Sequence, residues 1–396
     1  MKRYLFSWEC GAGFGHLAPY LKLIELLLER GHEVMFACRN LVRAEGLFGH
    51  LPVKLIQSPR HQLQPEDQIA PKSYLDVVIN QGFADPLDLK ARVKAWLQLL
   101  DMWQPTAIVA DHSPTLLLAQ RIDARAHCIV AGNSYCIPPL RHPFPPFVSQ
   151  SPDFDETAAR RERELLNLVL NPVLEELGGP PLDNCQQLFS AHPHWLYGLS
   201  SLDHYPGRRS EDFLGSPPSM GGEPASWPDS RRPKVFVYLK PHAVVSGVLA
   251  ALRQLRWPIL IYASDWPEPL RLEAKAPTMR LAANSVDLLS VGNGCQLAIN
   301  NAGVNGVTQL LRAGVPQLLL PLHVEQQMFA RSAQAAGACL IQSLDSNNSQ
   351  RWGDALKAAA DPAGAQNKAA VQFAEDEANT NPTVRVEDLL CQLDSD

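Results

Sequence analysis

Apolar residues fall in two rhythms along this chain. The short unbroken runs YLFSW (4–8), EVMFAC (33–38), VKLIQ (53–57), TAIVAD (106–111) and HCIVAGN (127–133) have the length and composition of strands buried on both faces. Between the first two, Leu17, Leu21, Ile24, Leu27 and Leu28 recur at helical spacing from His16 until Gly31, and two more helical patterns lie around 73–82 and 86–103. Continuous apolar strands alternating with helices predict a parallel sheet with both faces covered.

The middle of the chain is less regular. Residues 137–152, IPPLRHPFPPFVSQSP, hold too much proline for regular structure, whereas 156–170 carry a charged, leucine-bearing helix pattern and HWLYGLSS (194–201) reads as one more strand. Then GSPPSMGGEPASWPDSRRP (215–233) concentrates Pro, Gly and Ser, the composition of a linker. The alternation restarts with KVFVYL (234–239), a helix around 244–255, PILIYA (258–263), MRLA (279–282), LAIN (297–300) and PQLLLPL (316–322). The expected organisation is an α/β chain of two Rossmann-like parallel-sheet domains, 1–214 and 234–375, joined by a linker at 215–233, with a tail at 376–396 that could return to the first domain. Such sheets bind ligands beyond the carboxyl ends of their strands, so two of them facing one another predict a central cleft.

Length agrees with two cores, since 396 residues exceed what a single core usually supports. With 46% apolar and 19% charged residues the composition is that of an ordinary globular protein. The net charge is −6, from 35 Lys plus Arg against 41 Asp plus Glu, and no long basic block argues for nucleic acid as the main ligand. Eight cysteines are scattered at 10, 38, 128, 136, 185, 295, 339 and 391 without a C-x-x-C pair, and no His cluster has zinc-ligand spacing. They read as reduced, mostly buried residues of a cytoplasmic protein, and no metal site is expected. The opening MKRYLFSWECGAGFGH is broken by Glu9 and glycines too early for a signal peptide, and no window reaches the ~18 apolar residues of a membrane span.

Three places could carry chemistry. GAGFGH (11–16) follows the first strand, but a G-x-G-x-x-G fingerprint would need glycine where His16 stands. His16 either starts a helix or, facing the ligand side, serves as a general base. Asp111 ends the strand TAIVAD and either caps the next helix or orients His16 in a His/Asp dyad. After LAIN, the turn NAGVNG (301–306) would lead its backbone N–H groups to the start of a helix VTQLLRA at Val307, an arrangement that attracts phosphate. No Walker sequence is present. Gly314 ends that helix, and LHVEQQ opens another with Glu325 and Gln326 in its first turn, either complementing the helix dipole or meeting sugar hydroxyls. The literal Asp-x-Asp triplets, DFD (153–155) and DSD (394–396), lack a strand to position them for metal; the first fits a helix cap and the second a frayed end.

The segments GFGHLAPYLKLIELLLERGHEV, IVAD and NNAGVNGVTQLLRAGVPQLLLPLHVEQQMFARSAQAAGA together resemble the UDP-glycosyltransferase family of GT-B enzymes, including its bacterial macrolide-type members. Their order and spacing match across nearly the whole chain. The resemblance implies an acceptor-binding first domain and a nucleotide-sugar-binding second domain, with His16 as base and Asp111 as its partner. It implies a donor site at Asn301, Gly303, Asn305, Gly306, Val307, Glu325 and Gln326, to which this chain's own Lys240 is added as a candidate. For the acceptor, Gly13, Phe14, Tyr74, Phe83 and Phe144 are candidates, the aromatic ones suggesting an apolar or ring-bearing small molecule or a lipid-like one. No cofactor beyond a UDP- or dTDP-linked sugar as co-substrate is implied. The implied activity is metal-independent, inverting transfer of a hexose to an acceptor hydroxyl; the alternatives are a GT-B nucleotide-sugar epimerase and a catalytically silent nucleotide-sugar-binding partner.

The chain also departs from that family's pattern. It has Asn301-Ala302-Gly303 for His-Gly-Gly, Asn305-Gly306 for Gly-Thr, Glu325 for Asp, Phe329-Ala330 for Asn-Ala, and Asn284-Ser285 for Pro-Gln. Lys240 stands where a Ser/Thr-Gly turn is usual, and its charge could compensate for the absent histidine.

Overall fold

The computed structural model describes residues 1–11, 13–62, 64–148, 155–205, 207–217, 221–263, 265–344, 349–380 and 384–394. The first five apolar runs and the HWLY of HWLYGLSS become six strands, β1 (Arg3–Trp8), β2 (Glu33–Cys38), β3 (Lys54–Gln57), β4 (Ala107–Asp111), β5 (His127–Asn133) and β6 (His194–Tyr197), in the order β3-β2-β1-β4-β5-β6. All their pairings are parallel, and Trp8 at the end of β1 lies opposite Cys38 on one side and Asp111 on the other. Every residue of β4 is buried, as its unbroken apolar run requires of a strand covered on both faces.

The second sheet repeats this plan. β7 (Val235–Tyr238), β8 (Ile259–Tyr262), β9 (Met279–Ala282), β10 (Leu297–Asn300), β11 (Gln317–Leu319) and β12 (Cys339–Ile341) are ordered β12-β11-β10-β7-β8-β9, again all parallel. Counted from its own first strand, this is the order of the first sheet. Each sheet therefore reverses direction once, between β1 and β4 and between β7 and β10, and such a switch point opens a crevice at the carboxyl ends of the strands.

The helical pattern after β1 starts later than its spacing suggests. Phe14–His16 and Ala18–Tyr20 are 3-10 turns, and the α-helix runs only over Leu21–Glu29. Pro19 explains the delay, because it has no N–H to give to an α-helical ladder. The helix after β10 begins earlier than expected, at Val304 rather than Val307, so Asn305 and Gly306 lie in its first turn.

The chain divides into two compact units whose borders cross the sequence more than once. One comprises Met1–Tyr197, Tyr205–Pro218 and Val384–Asp396, the other Gly198–His204 and Ser219–Thr383. Gly198–His204 is held in the second unit by Ser201 Oγ donating to Glu377 Oε1 (2.8 Å) and Ser332 Oγ donating to the Asp203 carbonyl (2.6 Å). The helix Val386–Asp394 is held in the first, where Leu389, Leu390 and Leu393 are buried in the same core as Ile24 and Leu27. Asp394, expected at a frayed end, instead accepts hydrogen bonds from Lys2 Nζ and Tyr4 Oη, both 2.8 Å, and the Lys2 bond holds its carboxyl below the usual carboxylate range. Asp155 caps the helix Glu156–Leu165 by accepting from the Thr157 and Ala158 amides; Asp153, its partner in the DFD triplet, lies outside the described residues. No described helix is long and apolar enough to cross a membrane.

Candidate active site

At the switch point of the first sheet the loop after β1 carries His16 and the last residue of β4 is Asp111. His16 Nδ1 donates to Asp111 Oδ1 at 2.7 Å, and Tyr20 Oη donates to Asp111 Oδ2 at 2.6 Å. Both carboxylate oxygens are thus engaged, on a side chain only 2% exposed. Because a carboxylate only accepts, Nδ1 of His16 carries the proton and Nε2 the lone pair. Burial, and then the neighbouring Asp111, push the Tyr20 hydroxyl well above its ordinary value, so it remains a donor.

The surroundings fix the imidazole. Trp8 stacks on it, with ring centroids 5.2 Å apart and planes 16° off parallel. Gly11 sits at φ +88°, where an added Cβ would stand 2.6 Å from His16 Nε2, so this turn needs glycine both for its backbone and for the ring beside it. Glu9, on the same loop, accepts from the Thr115 amide (3.2 Å), the Leu116 amide (2.9 Å) and Thr115 Oγ1, capping the helix Pro114–Ile122 that follows β4. Burial pushes the Glu9 carboxyl up while these donors pull it back. The loop that bears His16 is thereby tied to the segment that follows Asp111.

His112 follows Asp111 at φ +41°, 5% exposed, and neither of its ring nitrogens has a hydrogen-bond partner. Burial, followed by the adjacent His16 and Arg39, pushes its imidazole down to about 3, so it stays neutral. Cys136, just beyond β5, completes a group in which His16, His112 and Cys136 each offer a ligand atom within 4.8 Å of the others. No spacing motif announces this cluster, because its members lie on three distant segments.

The acceptor candidates separate. Gly13, at φ +98°, precedes the turn of Phe14, whose ring lies under the Arg43 guanidinium at 5.4 Å, both beside His16. Tyr74, Phe83 and Phe144 are instead 1–3% exposed and line an apolar cavity of about 10 Å³, too small for an acceptor. In this structure all three stand among buried side chains, because aromatic composition alone does not reveal which way the rings face. A larger cavity of about 140 Å³ lies beside Gln104, Pro105 and Ala126, where β4 and β5 begin, at the far end of the sheet from His16.

In the second unit, the loops after β7 and β10 meet at the other switch point. Asn301 Oδ1 accepts from the Lys240 amide and its Nδ2 donates to the Leu320 carbonyl, both at 2.7 Å. Asn301 therefore pins together the ends of β7, β10 and β11. Asn300 accepts from the Ala302 amide at 2.8 Å, holding Ala302 in the left-handed region at φ +59°, and its own amide donates to Gln317 Oε1 at 2.7 Å. The helix Val304–Arg312 then starts with no side-chain cap and no acidic residue in its first turn. A Cβ at Gly303 or Gly306 would meet nothing within 4 Å, and neither residue has a positive φ, so the fold itself has no need of glycine at either position.

The remaining donor candidates are partly committed to partners within the chain. Lys240 Nζ is ion-paired with Asp265, a loop residue that no sequence motif marks. Val307 is fully buried. Gln326 Oε1 accepts from the Leu322 amide at 2.8 Å, while Glu325 lies in the first turn of Val324–Ala335. Phe329 is buried against His204, ring centroids 5.3 Å apart, and Asn284 Nδ2 donates to Glu223 Oε1 at 2.5 Å. Two departures from the family pattern have thus become packing and loop-anchoring residues.

Solved structures share this architecture. The calicheamicin glycosyltransferase CalG4 matches with a TM-score of 0.68 at 15% identity, over 99% of this chain and 98% of its own. The spinosyn rhamnosyltransferase SpnG complexed with spinosyn aglycone matches at 0.66 and 17% over 100% of both chains, and the glycosyltransferase SnogD from Streptomyces nogalater at 0.63 and 16% over 99% of both. No protein-family model and no curated protein sequence matches the chain. The fold is that of the GT-B glycosyltransferases, two Rossmann-like units in tandem.

Proposed function

We propose that this chain is an inverting, metal-independent glycosyltransferase that moves a hexose from a UDP- or dTDP-sugar to a hydroxyl of a small-molecule or lipid-like acceptor. The observation that carries the reading is the 2.7 Å bond between His16 Nδ1 and Asp111, which leaves the lone pair on Nε2. In the proposed reaction Nε2 takes the proton of the acceptor hydroxyl, whose oxygen bonds the anomeric carbon as the carbon–oxygen bond to the diphosphate breaks. The electron pair of that bond leaves on the diphosphate, and Asp111 stabilises the imidazolium. The uncapped helix start at Val304 and the open space before Gly303 and Gly306 support a diphosphate site there, where backbone N–H groups can meet the developing charge. SpnG in complexes with spinosyn aglycone and with thymidine diphosphate, and VinC with dTDP, support an acceptor and a nucleotide as the ligand classes.

One observation favours a second reading, a nucleotide-sugar-binding partner without turnover: Lys240, whose backbone amide donates to Asn301 of the donor turn, has its ammonium ion-paired with Asp265. A single set of measurements separates the two. Thermal-shift titration with UDP, dTDP and their sugars identifies the donor, and acceptors are then screened for product. His16→Ala lowers turnover by about 10²–10⁴-fold with nucleotide binding retained, and wild-type turnover survives EDTA. Nucleotide binding without any transfer would establish the second reading, and transfer undiminished by His16→Ala would end the assignment of the base.

A further inference from the structure

We propose that His16, His112 and Cys136 form a site for one zinc-like divalent cation, and that its occupancy silences the His16 base. The three residues follow β1, β4 and β5, adjacent strands of one sheet, and their ligand atoms already lie within 4.8 Å of one another. Two imidazoles and a thiolate suit zinc or cobalt rather than magnesium or calcium. Donor atoms around tetrahedral zinc stand roughly 3.5 Å apart, so closing the site takes ~1 Å of side-chain movement.

The second and independent observation is His112. It is 5% exposed and neither ring nitrogen has a hydrogen-bond partner, an expensive arrangement for a polar ring unless something bonds it. A metal would supply that bond. Asp111 adds the outer support, since by accepting the His16 Nδ1 proton it directs Nε2 outward as the ligand atom, the arrangement that commonly orients metal-binding histidines. The His16 side chain is 12% exposed and offers the route of entry. Three protein ligands leave the fourth position to water. Binding expels the Cys136 thiol proton and places the metal on the lone pair that the proposed reaction uses. The inhibitory consequence rests on the transferase reading; metal binding itself does not.

The test uses the full chain, stripped with chelator and then freed of it, titrated with Co²⁺ and followed by absorption. A thiolate-to-cobalt band and the visible bands of tetrahedral cobalt are expected to saturate at one ion per chain, and Zn²⁺ should bleach them. Cys136→Ser should abolish the thiolate band, and Asp111→Asn should weaken binding about 10–100-fold, the usual loss for an outer partner. His112→Gln should weaken it at least as much, whereas Cys391→Ser, at the exposed thiol, should change nothing. Thermal unfolding of each variant checks that it is folded. In transfer assays Zn²⁺ should inhibit the wild type and spare His112→Gln. Absence of the cobalt bands, their persistence in Cys136→Ser, or their loss in Cys391→Ser would overturn the proposal, and these spectra decide it even if no transferase activity is found.

Discussion

Tyr20 extends the His16–Asp111 pair to three residues, and its loss tests whether the third matters. Its hydroxyl is a permanent donor to Asp111, and a hydrogen bond to a charged acceptor is worth about 1.5–3 kcal/mol. Tyr20→Phe should therefore lower turnover by ~10–100-fold with donor KM little changed. It should also move the acid limb of the rate profile to higher pH, because the bared Asp111 oxygen holds the imidazolium more strongly. A pH series of kcat for wild type and variant measures this, and a purely structural Tyr20 would leave the limb in place. At the other switch point, Asn301→Ala strands the Lys240 amide and the Leu320 carbonyl, each buried group costing about 1–3 kcal/mol, so it should act first on thermal stability. Lys240→Ala should weaken nucleotide-diphosphate binding more than Asn301→Ala does, and Asp265→Asn, by releasing the ammonium, should strengthen it. Calorimetric titration ranks the three. His16 and Asp111 are legible in sequence because one stands in the glycine-rich turn after an apolar strand and the other ends an apolar strand. Tyr20, one helical turn past His16, was within reach of the same reasoning. Asp265 and Cys136 were not, because a loop residue acquires a partner only when the chain brings distant segments together.

The helix Val304–Arg312 shows how an element's composition can serve a ligand rather than the fold. Glycine within a helix costs ~0.5–1 kcal/mol relative to alanine, and at Gly306 nothing in the chain obstructs a Cβ. Gly306→Ala should then raise the melting temperature of the free protein while weakening nucleotide-diphosphate binding, two effects of opposite sign. A glycine retained for packing would lose stability instead. Strands were the most readable elements, since runs such as TAIVAD declare burial on both faces by themselves. Boundaries are less so: Pro19 displaces one helix start, and another helix begins at Val304, so that Gly306 lies inside it rather than in the turn before it. β12 has no signature in the sequence, because Cys-Leu-Ile is too short to display a period.

At the scale of the whole molecule, the sequence marks a linker at 215–233 and a tail at 376–396 that could return to the first unit, but nothing in it marks the crossing at Gly198–His204. Gly198–His204 and Val384–Asp396 join units to which most of their sequence neighbours do not belong, and only tertiary packing decides that. Expression of residues 1–217 alone should accordingly yield a weak or aggregating fragment, because Leu389, Leu390 and Leu393 no longer cover the core beside Ile24 and Leu27. Fusing 384–394 to that fragment should restore cooperative unfolding, measured by circular dichroism against temperature. The same helix has a consequence for synthesis. Ribosomes add about 5–20 residues per second, so the roughly 170 residues between the first unit and its closing helix delay completion by about ten to thirty seconds. During that interval the nascent first unit bears an open leucine-lined face, the kind of surface chaperones engage, and slowing translation of the second half should prolong its stay with them.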